Sequence, residues 1–383
     1  MEIRKLRMGM VGGGKNAFIG AVHRMAASMD GQIELCCGAL SSDPVKAKES
    51  GELLSLPPHR IYSNFQEMMV HESELPADER MHFVSIVTPN VAHFEPAMLA
   101  LEHGFHVILE KPMTFSVKEA ELLQKKVNET GLLLGVTYTY SAYPMVKQAR
   151  QLVQDGKLGH IRKIMVEYPQ GWLSTLIEEK SALAAWRTDP ERGGLSSCMG
   201  DIGTHAAHLA EYISGIKITK VCADLRIVVE GRRLEDDGNV LLGFENGATG
   251  VLSASQVAAG EENALKIRVY GEKAGLEWNQ QDPNTLLLKW LNEPAQTYRA
   301  GQSYLCPIAQ HNTRLPAGHP EGYIEAFANI YKNFASTIRA KLNGVQPSEA
   351  ILDFPTVNDG MRGMKFIETV IASGQSDQKW TMM

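Results

Sequence analysis

Hydrophobic and polar positions change rhythm once along the chain, near residue 140. Before that point, short apolar runs at 6–11, 33–40, 83–87, 106–109 and 132–137 read as strands. Runs of this kind suit strands covered on both faces of a parallel sheet. Between them, 18–29, 64–71, 93–102 and 117–129 carry apolar positions at helical spacing. Ser63 is the expected N-cap of the second helix; Ser116, with Glu119 three residues on, is a capping-box signature for the fourth. Strand–helix alternation builds an α/β domain with a doubly wound parallel sheet.

After residue 140 a helical stretch at 143–154 closes on Gly156 and Gly159. Extended runs at 161–168, 221–230, 239–244, 249–255, 265–270, 276–278 and 286–290 follow, with Asn246-Gly247 in "ENGATG" as a hairpin signal. Strands in succession predict a large open, mostly antiparallel sheet. Helices at 322–341 and 357–372 come last. The expected organisation is one α/β domain at 1–140 and a C-terminal α+β domain at 141–383.

Composition narrows this little. The 383 residues suit two domains, and 44% hydrophobic with 21% charged residues is an ordinary globular balance. A net charge of −6 disfavours a nucleic-acid partner. No apolar run approaches the ~20 residues of a membrane span. The first residues run straight into a strand, so no signal peptide is expected. Five cysteines without a C-x-x-C pair read as a reduced, cytoplasmic chain with no metal site.

The chemistry starts at "GMVGGGKNAF". Gly12, Gly14 and Ala17, with Lys15 and Asn16 between them, fit G-x-G-x-x-G/A between a strand and a helix. Gly12 permits the turn, Gly14 a close backbone approach, and Ala17 close helix–strand packing, so that the helix N-terminus faces a pyrophosphate. The pattern predicts a Rossmann domain binding a nicotinamide dinucleotide. The second strand should end in an acid that holds the ribose hydroxyls, but "GALSSDP" puts Ser41 there, followed by Ser42. Asp43 before Pro44 is either a helix cap or that acid, and both NAD and NADP stay open.

Two further strands end in polar clusters at the edge where open α/β sheets bind ligands. One is Thr88-Pro89-Asn90 with His93, the other Glu110-Lys111-Pro112. Later, "GGLSSCMGDIGTHAAH" sets Asp201 and His205 at i,i+4, on one face of a helix. A metal site, a helix cap, and a general base oriented by a carboxylate are the three readings of this segment.

Taken together these stretches resemble the Gfo/Idh/MocA family of oxidoreductases, the relatives of glucose-fructose oxidoreductase and inositol dehydrogenase. The carrying residues are the 12–17 loop, Thr88-Pro89-Asn90 with His93, Glu110-Lys111-Pro112, Ala185-Trp186-Arg187 and Gly200-Asp201-Ile202-Gly203-Thr204-His205. The resemblance implies Lys111, Asp201 and His205 as the catalytic set. It implies cofactor contacts along the loop, at Ser41 and Ser42, at residues 88–90, His93, Glu110 and Lys111. Trp186 and Arg187 would join the catalytic set in binding a sugar, glycoside or cyclic polyol. An imidazole, with an ordinary pKa of about 6.5, suits His205 to the proton transfer, while Lys111 would steady the alkoxide. A glycoside hydrolase that oxidises its sugar transiently is the alternative. The resemblance also implies a homodimer or homotetramer through the C-terminal sheet. The family often has Asn where this chain has Thr139.

Overall fold

The computed structural model describes residues 5–383. They form two compact units. One holds the residues up to Thr137 together with Tyr323–Met361; the other holds Tyr138–Gly322 and Arg362–Met383. After the second unit's first stretch the chain returns to the first unit for Tyr323–Met361, which opens with one long helix. The return is physically sensible. Tyr323–Leu342 buries Phe327, Ile330, Tyr331, Phe334 and Ile338 along one stripe. That stripe needs an apolar partner, and the first unit supplies it: Phe334 lies edge-on to Phe83 with ring centroids 5.5 Å apart.

In the first unit, β1 (Leu6–Gly12), β2 (Ile33–Ala39), β3 (Phe83–Val87), β4 (His106–Leu109) and β5 (Leu134–Val136) form a parallel sheet in the order β2-β1-β3-β4-β5. The direction of winding reverses between β1 and β3, and ligands bind open α/β sheets in the crevice at such a switch point. The helices are α1 (Phe18–Ser28), α2 (Pro44–Leu53), α3 (Phe65–Glu74), α4 (Phe94–Glu102) and α5 (Val117–Thr130). Apolar periodicity does not announce α2, whose buried face is only Ala47, Ser50 and Gly51. Its cap does: Asp43 accepts the N–H groups of Val45 and Lys46 at 2.9 and 3.3 Å. The cap of α3 is Asn64, which accepts Glu67 N–H at 2.7 Å; Ser63, the residue expected there, donates its hydroxyl to the Glu67 carboxylate instead. Ser116 caps α5 as predicted, and Glu119 returns a bond to the N–H of Phe115 at 2.9 Å.

In the second unit, β6 (Ile161–Pro169), β7 (Ile218–Arg226), β8 (Asp237–Phe244), β9 (Thr249–Ser255), β10 (Lys266–Gly271), β11 (Ala274–Asn279), β12 (Thr285–Trp290), β13 (Gln296–Arg299) and β14 (Thr381–Met382) form one sheet. Its order is β13-β12-β11-β10-β6-β9-β8-β7-β14. Every pairing is antiparallel except β6 with β9. The edge strands β13 and β14 are too short and polar to read from the sequence. The end of β7 was misplaced because Ile227 and Val228 are apolar yet exposed. They lie in a loop whose backbone is held by Asp236, which accepts the N–H groups of Val228 and Val229 at 2.7 and 3.0 Å. Ile164, Val166, Leu252, Ile267 and Val269 are buried on one face of the sheet, against which the helix Thr204–Ser214 packs. No helix of the described residues is long and apolar enough to cross a membrane.

Candidate active site

The glycine loop leaves β1 at the switch point. Gly12 and Gly13 take φ of +79° and +70°, a region that disfavours any side chain, and Asn16 shares it at +69°. Gly14 is glycine for a different reason: a Cβ there would stand 2.7 Å from the Leu40 carbonyl oxygen and from Ser50 Oγ. Its N–H donates to Leu40 O at 3.2 Å, and that of Lys15 to Ser50 Oγ at 3.0 Å. The helix comes close to the loop at Gly20, where a Cβ would stand 2.5 Å from the Gly13 carbonyl oxygen. Arg24, from the next turn of α1, donates to that same oxygen at 2.5 Å.

The start of α1 suits an anion. Ala17 sits at the cap position with no side-chain bond to the helix, and the first turn holds no acidic residue. Its N–H groups therefore keep the partial positive charge that favours a phosphate. Lys15 is exposed nearby, 3.5 Å from Glu49. At the end of β2, Ser41 Oγ accepts the N–H of Asp43 at 3.2 Å. Asp43 is thus the cap of α2, one of its two possible readings, and Ser41 and Ser42 stand where the ribose acid would be.

The two other strand ends are tied to each other. His93 is fully buried, with Nδ1 2.9 Å from the Pro112 carbonyl and Nε2 2.9 Å from that of Thr88. Burial pulls its pKa below the ordinary value, against the opposing pull of those two carbonyls. Neutral imidazole has a single N–H to give them. His93 therefore stands between the Thr88-Pro89 and Lys111-Pro112 loops and donates to one of their carbonyls at a time. The Lys111–Pro112 bond is cis. Glu110 likewise turns inward: Oε1 lies 2.8 Å from His23 Nε2 and accepts Thr137 Oγ1–H at 2.7 Å, while Oε2 accepts the N–H of Lys111 at 3.1 Å. Burial pushes its pKa up, but the bond from His23, the charges of His23 and Lys111, and the Thr137 hydroxyl bring it below the ordinary carboxylate range.

In the second unit, Asp201 lies in a π-helical turn, Met199–Gly203, which leads into Thr204–Ser214. The wider turn breaks the simple i,i+4 relation expected between Asp201 and His205, and such turns favour functional sites. Asp201 is ion-paired through Oδ1 with Arg187 and accepts Gln256 Nε2–H at Oδ2, 2.9 Å away. Arg187 ends the short helix Ala182–Arg187, and its guanidinium lies 5.0 Å over the Trp186 ring. His205 is buried among tyrosines, edge-on to Tyr138 at 5.5 Å and to Tyr140 at 4.9 Å. The Tyr140 hydroxyl bonds that of Tyr168, which donates to Asn263 Oδ1 at 2.6 Å; Asn263 returns a bond to Tyr140 at 3.2 Å. Burial raises the Tyr140 pKa, partly opposed by those two partners and reinforced by the charge of Asp201.

The turn carrying Asp201 is fastened by Glu235, which accepts the Ser196 hydroxyl and, at 3.0 Å, the N–H of Met199. His23, Gln256, Asn263 and Glu235 went unnoticed in the sequence because each acts on a residue more than thirty positions away. Among the described residues, one group could hold a metal ion: Cys36, Cys37 and Glu72. Arg60 fills that role already, donating to Glu72 Oε1 at 2.9 Å and Oε2 at 2.5 Å.

A parallel sheet with a glycine loop at its switch point defines a dinucleotide-binding domain, and here a large mixed sheet follows it. Residues 6–138 match the oxidoreductase family with an NAD-binding Rossmann fold, and residues 146–277 match the GFO/IDH/MocA C-terminal domain. The chain belongs to the GFO/IDH/MocA family and is an oxidoreductase with an NAD-binding Rossmann domain. It is 36% identical over 381 residues to the uncharacterized oxidoreductase YfiI of Bacillus subtilis, spanning 98% of this chain and 96% of that protein. The levoglucosan dehydrogenase of Pseudarthrobacter phenanthrenivorans is 26% identical over 316 residues, spanning 76% and 78%. Among solved structures, an inositol dehydrogenase homolog from Azotobacter vinelandii in complex with NAD+ has a TM-score of 0.94 at 35% identity, covering 99% of this chain and 98% of that one. The same homolog with NADH and myo-inositol has a TM-score of 0.91 at 34% identity, with the same coverage.

Proposed function

We propose that the protein oxidises a secondary alcohol of a sugar, glycoside or cyclic polyol, with Lys111, Asp201 and His205 as its catalytic set. One observation carries this reading: the chain combines a lysine at the end of β4, beside the switch point, with a buried histidine whose neighbours are tyrosine rings. The relatives named for inositol and levoglucosan support the substrate class. When bound, the nicotinamide accepts or delivers the hydride. Lys111 donates a hydrogen bond to the reacting oxygen and steadies its developing charge. His205 takes the proton from that oxygen and returns it in the reverse direction. Asp201, fixed by Arg187 and Gln256, supplies negative charge near the tyrosine cluster. Trp186 offers an aromatic face to the apolar side of a sugar ring. Gly12, Gly14, Lys15, Asn16, Ala17, Ser41, Ser42, Thr88, Pro89 and Asn90 line the cofactor, and Glu110 and His93 support it from below. We assign the protein to the cytoplasm, as a homodimer or homotetramer formed through the nine-stranded sheet.

The test is a panel of inositols, hexoses, sugar acids and glycosides against NAD and NADP, followed at the absorbance of the reduced nicotinamide. Net accumulation with at least one polyol or sugar is expected. Product release from a glycoside without net reduction would instead make the protein a hydrolase. Lys111→Ala and His205→Ala should each lower turnover by ~10²–10⁴ with cofactor affinity retained. Near-normal turnover in either variant would remove that residue from the catalytic set.

A further inference from the structure

Below Lys111 the first unit buries a continuous line of polar groups that no local motif connects. Its centre is His23 on α1, fully buried. Nε2 of His23 lies 2.8 Å from Glu110 Oε1, and Nδ1 lies 2.6 Å from the Tyr331 hydroxyl and 3.0 Å from Ser85 Oγ. Tyr331 and Ser85 are 2.8 Å from each other. The line ends where Glu110 Oε2 accepts the main-chain N–H of Lys111 at 3.1 Å. The proton order follows from chemistry. An ionised carboxylate only accepts, so Nε2 carries hydrogen; Nδ1 meets the two hydroxyls, which can either donate or accept.

The ring itself is locked. Phe327 stands edge-on to it at 4.7 Å and Tyr331 at 5.8 Å. Residues from α1, β3, the end of β4 and the helix Tyr323–Leu342 thus meet at one imidazole. Apolar side chains of equal volume would fill this centre without desolvating an ion. A buried carboxylate needs good donors, and here two of them, His23 and Thr137, hold one oxygen so that the other faces the Lys111 backbone.

We propose that His23 is a positioning residue for Lys111: through Glu110 it holds the carboxylate that pins the lysine's main chain at the strand end. The inference rests on the catalytic reading of Lys111 given above.

The experiment uses the full-length protein, NAD(H) and the best polyol or sugar from the panel. His23→Leu should lower kcat by about tenfold to a hundredfold, the cost of slight misplacement of a reacting group. NADH affinity, read by fluorescence titration, should stay within about twofold if the cofactor cradle is untouched. His23→Gln, whose amide can still donate to Glu110, should recover most of the loss. In a Glu110→Gln background, adding His23→Leu should cost less than about threefold, because no ion remains to be held. Unchanged kcat in His23→Leu, or the same fold-loss in both backgrounds, overturns the proposal. If His23→Leu does not fold, Tyr331→Phe and His23→Gln carry the test. Tyr331→Phe should lower kcat by about threefold or more at constant NADH affinity, and an unchanged kcat overturns the proposal. Lys111→Ala serves as the control. If it turns over normally, the catalytic reading itself fails; if it is inactive while the His23 variants are normal, only the positioning role fails.

Discussion

Gly20 is the position where the cofactor cradle has the least room. A Cβ there would stand 2.5 Å from the Gly13 carbonyl oxygen, against the 3.4 Å at which ordinary contact begins, a shortfall of about 0.9 Å. Backbone lies on the far side of that contact, so no side chain can swing away. Gly13 is itself held at φ +70° and bonded through its oxygen to Arg24. Gly20→Ala must therefore tilt α1, shift the loop, or both. Overpacking of this kind costs about 1–3 kcal/mol. Whatever part is relieved by tilting α1 appears as lost stability. Whatever part is relieved by moving the loop appears as lost affinity, up to about 150-fold if all of it does. NADH fluorescence titration and urea unfolding, run on the same preparations, measure both parts. Their sum should reach at least about 1 kcal/mol. Native affinity together with native stability in Gly20→Ala would show that helix and loop do not pack as described.

Ala17→Asp should give α1 the cap it lacks and stabilise the cofactor-free protein by about 1 kcal/mol, while its charge weakens dinucleotide binding; tighter binding would refute the anion site at α1. His106 on β4 is held down to about 4, first by burial and then by the charges of Lys341 and His82. Below its ordinary value near 6.5 the unfolded chain takes up a proton that the folded one refuses, so stability should fall as pH drops from 6.5 to about 4 and level off beneath. Allowing for its partial exposure, the loss is about 2–3 kcal/mol, and His106→Asn should flatten that part of a urea-midpoint profile. Arg60→Met would strand the fully buried Glu72 carboxylate and should cost about 3–5 kcal/mol in chemical unfolding, with Arg60→Met/Glu72→Leu recovering most of it. Zinc that stabilised the wild-type protein would refute the assignment of Arg60 as the cation of that cluster.

Much of this was legible because the signals are local. Continuous apolar runs gave all five parallel strands, and the glycine loop, the Thr88–Asn90 turn and Glu110-Lys111 lie at strand ends, where topology alone marks a ligand edge. Asp43 and Ser116 could be read as caps because capping is settled within three residues. What escaped was non-local. Tyr331 reaches Ser85 across 246 positions and His23 across 308, so no window could link them. The strand expected at 221–230 ran too far because an apolar residue in an exposed loop looks the same as one in a sheet. The Asp201–His205 spacing was right on paper, but an inserted wide turn altered its phase, and no local signal paired Arg187 with Asp201.

The helix Tyr323–Leu342 also sets a timetable for biosynthesis. The nucleotide-binding unit lacks one of its layers until the ribosome has passed through the whole of Tyr138–Gly322. At about 5–20 residues per second, that stretch delays completion by roughly 10–40 seconds. Throughout that interval the nascent sheet exposes Phe83, and His23 and Ser85 wait for a hydroxyl that has not yet been translated. The gene order thus keeps the first half to be synthesised unfinished until most of the second unit has been made, and gives a chaperone that shields apolar sheet surfaces a defined window in which to act.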